Sequence, residues 1–182
     1  HFDTDSDIPV KNFMTGVNHF LPPDIRILKA ENVKNDFHAR FSAHEKTYCY
    51  CIYECPFDRA AYLNRAARVS EKLDVKAMRM ASTAFLGEHD FTSFMSTGAD
   101  TVSAVRNVKD VHVVRSGGLV RIFVTANGFL YNMVRLIAGV LVRAGQGKID
   151  KAGVEKLIAL KNKHAVREVM PAEGLYLVSV KY

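Results

Sequence analysis

The sequence predicts an α+β fold, a mixed and mostly antiparallel sheet with helices packed on one face. Three observations lead there. From residue 37 onward, segments of period-two alternation and segments of helical period follow one another as strand, helix, strand, strand, helix, helix, strand. Two of the strands flank Ser116-Gly117-Gly118, a hairpin turn. The helical segments carry their own start and stop residues. The composition suits a protein with a core, since 48% of the 182 residues are hydrophobic and 24% charged. A membrane-spanning protein is not expected, because the longest apolar run, 129–141, is interrupted by Asn132 and Arg135.

Taken in order, Pro9 sits where a first-turn proline belongs and residues 10–18 read as a short helix, closed before Leu21-Pro22-Pro23. Residues 25–30 alternate loosely and read as a strand. Residues 46–54 are the clearest strand, with Tyr48, Tyr50 and Ile52 on one face and Thr47, Cys49, Cys51 and Tyr53 on the other. Asp74 is a good N-cap for a helix over 75–86, whose Val75, Met78, Ala81 and Phe85 recur at helical spacing before Gly87. Strands over 107–115 and 119–126 form the hairpin. Residues 131–144 carry the stripe Met133, Ile137, Val140, Ala144 and stop at Gly145. Asp150 caps a helix over 151–161, and residues 175–181 are the last strand.

The net charge of +6 is unevenly placed: residues 1–35 hold 4 basic and 5 acidic groups, so the whole positive excess lies in 36–182. Such a domain suits a polyanionic partner or an ordinary basic enzyme. The chain begins His1-Phe2-Asp3 with neither Met nor a secretory leader and reads as cut from something longer. Residues 1–35 read as the remnant of a preceding domain, and 36–182 as a C-terminal α+β domain. Cys49, Cys51 and Cys55 crowd into seven residues, which fits a reducing, cytoplasmic setting better than a disulfide framework. Metal ligation by them is disfavoured, because no second Cys or Cys/His pair completes a tetrahedral set and two of them share a strand face as packing residues.

Arg135 is the most informative single residue. At 100° per residue it lies near 200° from Met133, on the far side of the helix from the core stripe and close to the positive end of the helix dipole. It is either a solvated arginine or one that meets an anion. Tyr48 and Tyr50 follow the basic, aromatic stretch 37–46, which includes His38, Arg40 and Lys46; they are either sheet packing or a platform for nucleobases. Gly145-Gln146-Gly147-Lys148 lacks the P-loop spacing and reads as a helix terminator. His89-Asp90 is either an acid/base pair or a turn cap.

Read together, Leu21-Pro22-Pro23-Asp24-Ile25, the segment Asp36-Phe37-His38-Ala39-Arg40-Phe41-Ser42-Ala43 leading to Lys46-Thr47-Tyr48-Cys49-Tyr50, and Phe129-Leu130-Tyr131-Asn132-Met133-Val134-Arg135 resemble the bacterial tRNA pseudouridine synthase A family. His89-Asp90-Phe91-Thr92-Ser93-Phe94 and Glu173-Gly174-Leu175-Tyr176-Leu177 match the same family in the same order. The resemblance implies a pseudouridine synthase fold and an isomerase that converts uridines at positions 38 to 40 of the tRNA anticodon arm, as a homodimer and without a cofactor. It further implies that Tyr48 packs against the target base and that Arg135 pairs with the catalytic aspartate. His38, Arg40, Lys46 and Arg106 are the implied RNA contacts. The family's Gly-Arg-Thr-Asp-Ala-Gly motif, which carries that aspartate just upstream of a segment like His1-Phe2-Asp3, does not occur in the 182 residues. The chain is therefore expected to be inactive alone; the alternative is a non-catalytic RNA-binding or dimerisation module on the same scaffold. The stretch 96–105 is less basic than the family's before Arg106.

Overall fold

Residues 1–98 and 101–182 are described in the computed structural model. They form two compact units, residues 1–42 and 43–182, so residues 36–42 group with the first. In the first unit, helix α1 (Val10–Phe20) buries none of its residues. The strand expected over 25–30 does not form. Instead the Asn18 amide donates to the Ile27 carbonyl at 2.9 Å and accepts from the Ile27 N–H at 2.8 Å, so one side chain takes both backbone groups that a neighbouring strand would use. The turn that follows is held by His38, whose Nδ1 accepts from the N–H groups of Arg40 and Phe41 at 3.1 and 3.3 Å.

The second unit is built on a six-stranded mixed sheet. Its strands are β1 (Glu45–Glu54), β2 (Ala67–Val69), β3 (Gly87–Asp90), β4 (Val105–Ser116), β5 (Leu119–Ala126) and β6 (Leu175–Lys181). β1 pairs antiparallel with β5 along one edge, from Lys46↔Ala126 to Tyr53↔Leu119. Its other edge is shared by β6, antiparallel from Glu45 to Tyr50, and β2, parallel from Ile52 to Glu54. The β4–β5 hairpin turns on Gly117 and Gly118, both at positive φ (59° and 77°), the pair of conformations that a tight turn matching the strand twist requires. β2 and β3 escaped the sequence reading because three and four residues show no period, and Gly-Glu-His-Asp offers no apolar alternation.

Three helices pack on one face: α2 (Val75–Ser82), α3 (Met133–Gly145) and α4 (Lys151–Ala159). Asp74 caps α2 by accepting from the N–H groups of Lys76 and Ala77, and Asp150 caps α4 through Gly153. The helix expected to reach residue 86 tightens after Ser82 into a single 3-10 turn. Tyr50, Ile52, Ile122, Val124, Met78, Phe85, Ile137 and Leu141 meet in the core. On the opposite face Cys49, Cys51, Tyr53, Cys55 and Ala66 form a smaller apolar cluster with Tyr62, Leu119 and Phe123, so β1 is buried on both sides as its two half-apolar faces foretold. Among the described residues no helix is long and apolar enough to cross a membrane.

α3 is buried more completely than its stripe predicts: eleven of its thirteen residues are buried, leaving Arg135 and Arg143. The reason is the segment 165–171, which runs over the helix's outer side. It comes so close that a Cβ on Gly139 would lie 2.5 Å from the Glu168 carbonyl oxygen. Gly139→Ala must push this backbone away, and we expect a loss of about 1–3 kcal/mol, or a Tm lower by several degrees at about 2–4 °C per kcal/mol. Thermal melts followed by circular dichroism check this.

At the sheet end, the Glu45 carboxylate accepts from Lys109 at 2.7 Å and Lys181 at 2.5 Å, and these hydrogen bonds hold its pKa at about 2 against an ordinary 4.5. A lowered folded-state pKa stabilises the protein above about 4.5 and is lost as the pH falls towards 2. The stability difference between the parent chain and Glu45→Gln should therefore shrink between pH 5 and pH 2, as measured by urea unfolding at stepped pH.

Candidate active site

One loop, residues 127–132 between β5 and α3, arranges the site. Its residues reach several different elements. A Cβ on Gly128 would lie 3.5 Å from Arg106 Nε, an ordinary contact distance, so the Arg106 side chain lies beside the loop. Phe129 meets Tyr48 edge to face, with ring centroids 5.0 Å apart and an interplanar angle of 87°. Asn132, at the start of α3, adopts φ +60°, a left-handed conformation that asparagine tolerates better than most residues. Its amide donates to Ser96 Oγ at 3.0 Å and its carbonyl oxygen accepts from Arg135 Nη1 at 3.0 Å.

Arg135 is gripped from a second direction. Its Nε donates to the Met170 carbonyl at 2.6 Å, while the Met170 N–H returns a bond of 3.4 Å to the Arg135 carbonyl. The side chain is half-buried between the helix and the 165–171 segment. Both its acceptors are neutral, and among the described residues no carboxylate lies within ion-pair distance of it. The guanidinium is thus oriented by groups that do not cancel its charge. A cation so placed in the first turn of α3, against the helix dipole, favours the approach of an anion to its remaining N–H groups. Arg135 is thus hydrogen-bonded within the chain as well as partly open to solvent.

Tyr48 is half-buried on the helix-bearing face of β1. Two residues on, Tyr50 is fully buried and donates its hydroxyl to the Pro171 carbonyl at 2.6 Å. Burial pushes the Tyr50 phenol up, with Glu173 adding to the effect and the Arg135 cation opposing it, which places Arg135 within electrostatic reach of β1. Tyr50 is therefore a structural hydroxyl. Lys46 lies one same-face step before Tyr48, opposite Ala126 where the loop begins. Arg106 turns its guanidinium onto its own approach, donating to the carbonyls of Ser103 (2.8 Å) and Val105 (2.6 Å), and burial lowers its pKa. Ala99 and Asp100, within the stretch 96–105 that is less basic than expected, lie outside the described residues.

Lys46, Tyr48, Arg106 and Arg135 all belong to the second unit, and His38 and Arg40 to the first. There His38 spends Nδ1 on its turn, and the Arg40 guanidinium sits over the Phe41 ring, 5.5 Å from its centroid. His89 and Asp90 face different partners. The Asp90 carboxylate accepts from the Thr92 N–H and hydroxyl, which lowers its pKa and caps a turn, while His89 Nε2 meets the Leu86 carbonyl. Gly145-Gln146-Gly147-Lys148 ends α3, with N–H groups returning to Val142, Ala144 and Arg143. The sequence reading missed Phe129, Asn132, Ser96 and the Met170–Pro171 carbonyls as parts of the site. Only Asn132, an asparagine directly before a helical stripe, gave a local signal.

A family model described as tRNA pseudouridine synthase matches residues 81–182, more than half of the chain and all of the loop, α3 and the segment over it. The chain belongs to the tRNA pseudouridine synthase family. Among curated relatives, tRNA pseudouridine synthase A of Ruminiclostridium cellulolyticum is 43% identical over 183 residues, covering 100% of this chain and 75% of that protein. The protein of the same name from Acetivibrio thermocellus is 41% identical with the same coverage, and tRNA pseudouridine synthase A 2 of Clostridium perfringens is 40% identical, again over 100% of this chain and 75% of its own. The synthase resemblance carried by five short sequence blocks thus extends along the whole chain.

Asn132 offers a local test of the site's construction. Asn132→Ala should cost about 1–2 kcal/mol, since alanine is strained in the left-handed region and the link between Ser96 and Arg135 is lost. Urea unfolding measures it. Asn132→Gly, which removes the strain but not the lost bonds, should recover part of that loss.

Proposed function

We propose that this chain is the portion of a tRNA-uridine isomerase that presents the target base with a tyrosine face and the catalytic carboxylate with an oriented arginine. The observation that carries the reading is Arg135, fixed by Met170 and Asn132 with no carboxylate at ion-pair distance among the described residues. The target uridine leaves the stack and enters a pocket, where the Tyr48 ring offsets the lost stacking. An aspartate attacks the ribose or the base, the bond from ribose to the uracil nitrogen breaks, and the uracil turns and rejoins through carbon. The aspartate must be ionised to attack. Arg135 favours that form and holds its direction, as a fork that lysine cannot reproduce.

The family resemblance supports the finer parts of the proposal: uridines 38 to 40 of the anticodon arm as targets, homodimeric assembly, a cytoplasmic setting, no cofactor, and a nucleophile in the Gly-Arg-Thr-Asp motif that precedes a segment like His1-Phe2-Asp3. The reading of residues 1–35 as a domain remnant is supported by α1, whose Phe13, Met14, Val17 and Phe20 find no core among the described residues. The C-terminal domain, expected over 36–182, would bind RNA through Lys46 and Arg106 of the second unit, and His38 and Arg40, which group with the first unit, would be separate RNA contacts.

Tritium release from tRNA labelled at uridine C5 tests this. The 182-residue chain alone should release none, and the same chain extended upstream through the Gly-Arg-Thr-Asp motif should turn over. Turnover by the short chain would refute the dependence on that motif; RNA binding without turnover by the extended chain would favour a non-catalytic module. In the extended enzyme, Arg135→Lys should lower kcat about ten- to a hundredfold, nearly as much as Arg135→Ala, because each loses the charge-assisted bonds that orient the fork. Affinity for tRNA should fall with rising salt in proportion to the phosphates neutralised.

A further inference from the structure

On the sheet face away from the helices, Cys49 and Cys51 point the same way and their sulfurs lie 3.8 Å apart. Neither is used by the isomerase chemistry. Residues two apart on a strand have Cα atoms about 6.7 Å apart, at the far edge of what a disulfide spans, and parallel rather than converging side chains. The pair is therefore too far apart to close on itself without bending β1. It is close enough to share one bridging atom: a centre bound to both sulfurs at roughly the 2.3 Å of a zinc–thiolate bond would subtend about 110°. Zinc needs four donors, and among the described residues no three of His, Cys, Asp and Glu converge. What fits is a centre satisfied by two sulfurs. Arg121, the cross-strand partner of Cys51, supplies the positive charge that favours a thiolate and is itself anchored on the Ser116 carbonyl. Both thiols are buried, 5% and 9% exposed, in a cluster with Tyr53, Cys55 and Ala66, and the partly exposed Tyr62, Leu119 and Phe123 packed against it are the side chains an arsenical must displace.

We propose that Cys49 and Cys51 form a dithiol site for organic trivalent arsenic on the back of the strand that carries Tyr48. In the reaction two As–S bonds form, the arsenic oxide oxygen leaves as water with both thiol protons, and arsenic stays trivalent. Nothing is oxidised or reduced. Cys55, although in the same cluster, takes no part.

Phenylarsine oxide added to the folded 182-residue chain should give one adduct per chain by intact mass. A dithiol such as 2,3-dimercaptopropanol should reverse it, whereas an equal concentration of a monothiol should not. Alkylating the adduct in denaturant and mapping peptides should show Cys49 and Cys51 protected and Cys55 modified, a readout that needs no variant. Cys49→Ser and Cys51→Ser should each lose the adduct and Cys55→Ser keep it, with circular dichroism showing that all three are folded. An adduct that protects Cys55, or one that forms only in urea, overturns the proposal.

Discussion

Everything in the second unit depends on β1 being covered on both faces and paired on both edges. Its ten residues alternate between a helix-facing row, Tyr48, Tyr50 and Ile52, and an opposite row, Cys49, Cys51 and Tyr53, and each row enters a different apolar cluster. The backbone allows no slippage, because a shift of one residue would exchange the two rows. A strand so constrained holds Tyr48 in place at one end while Tyr50, anchored on the Pro171 carbonyl, ties the strand to the segment over α3. Gly174 belongs to the same lock, since a Cβ there would lie 2.7 Å from the Tyr50 ring.

The second dependence is on neutral partners for a charged side chain. A carboxylate beside Arg135 would hold it as firmly as Met170 and Asn132 do, but would cancel the field that an incoming anion must feel. A carbonyl and an amide oxygen give direction without neutralisation. Packing makes this possible: the 165–171 segment can reach Arg135 only because Gly139, one turn further along α3, has no side chain to hold it off.

Much of this was legible in the chain itself. Period-two alternation placed β1, β4, β5 and β6, and the capping aspartates placed α2 and α4, since these signals are local and repeat. Residues 25–30 misled for the same reason. Alternation states which face is apolar, not whether a partner strand exists, and Asn18 took the backbone groups instead. On α3 the stripe marked the sheet-facing side and the far-side position of Arg135, but not the segment that buries the helix's outer side.

The sequence by itself determined the order of elements, the two rows of β1, the exclusion of Arg135 from the core stripe and, through five ordered blocks, the synthase family. The tertiary structure alone decided which backbone atoms hold Arg135, that one loop touches Arg106, Tyr48 and Arg135 in turn, that His89 and Asp90 serve separate turns, and that two cysteines stand 3.8 Å apart. The division follows from range. Propensity, capping and periodicity act over a few residues, whereas a carbonyl 35 residues away becomes a partner only when packing brings it there.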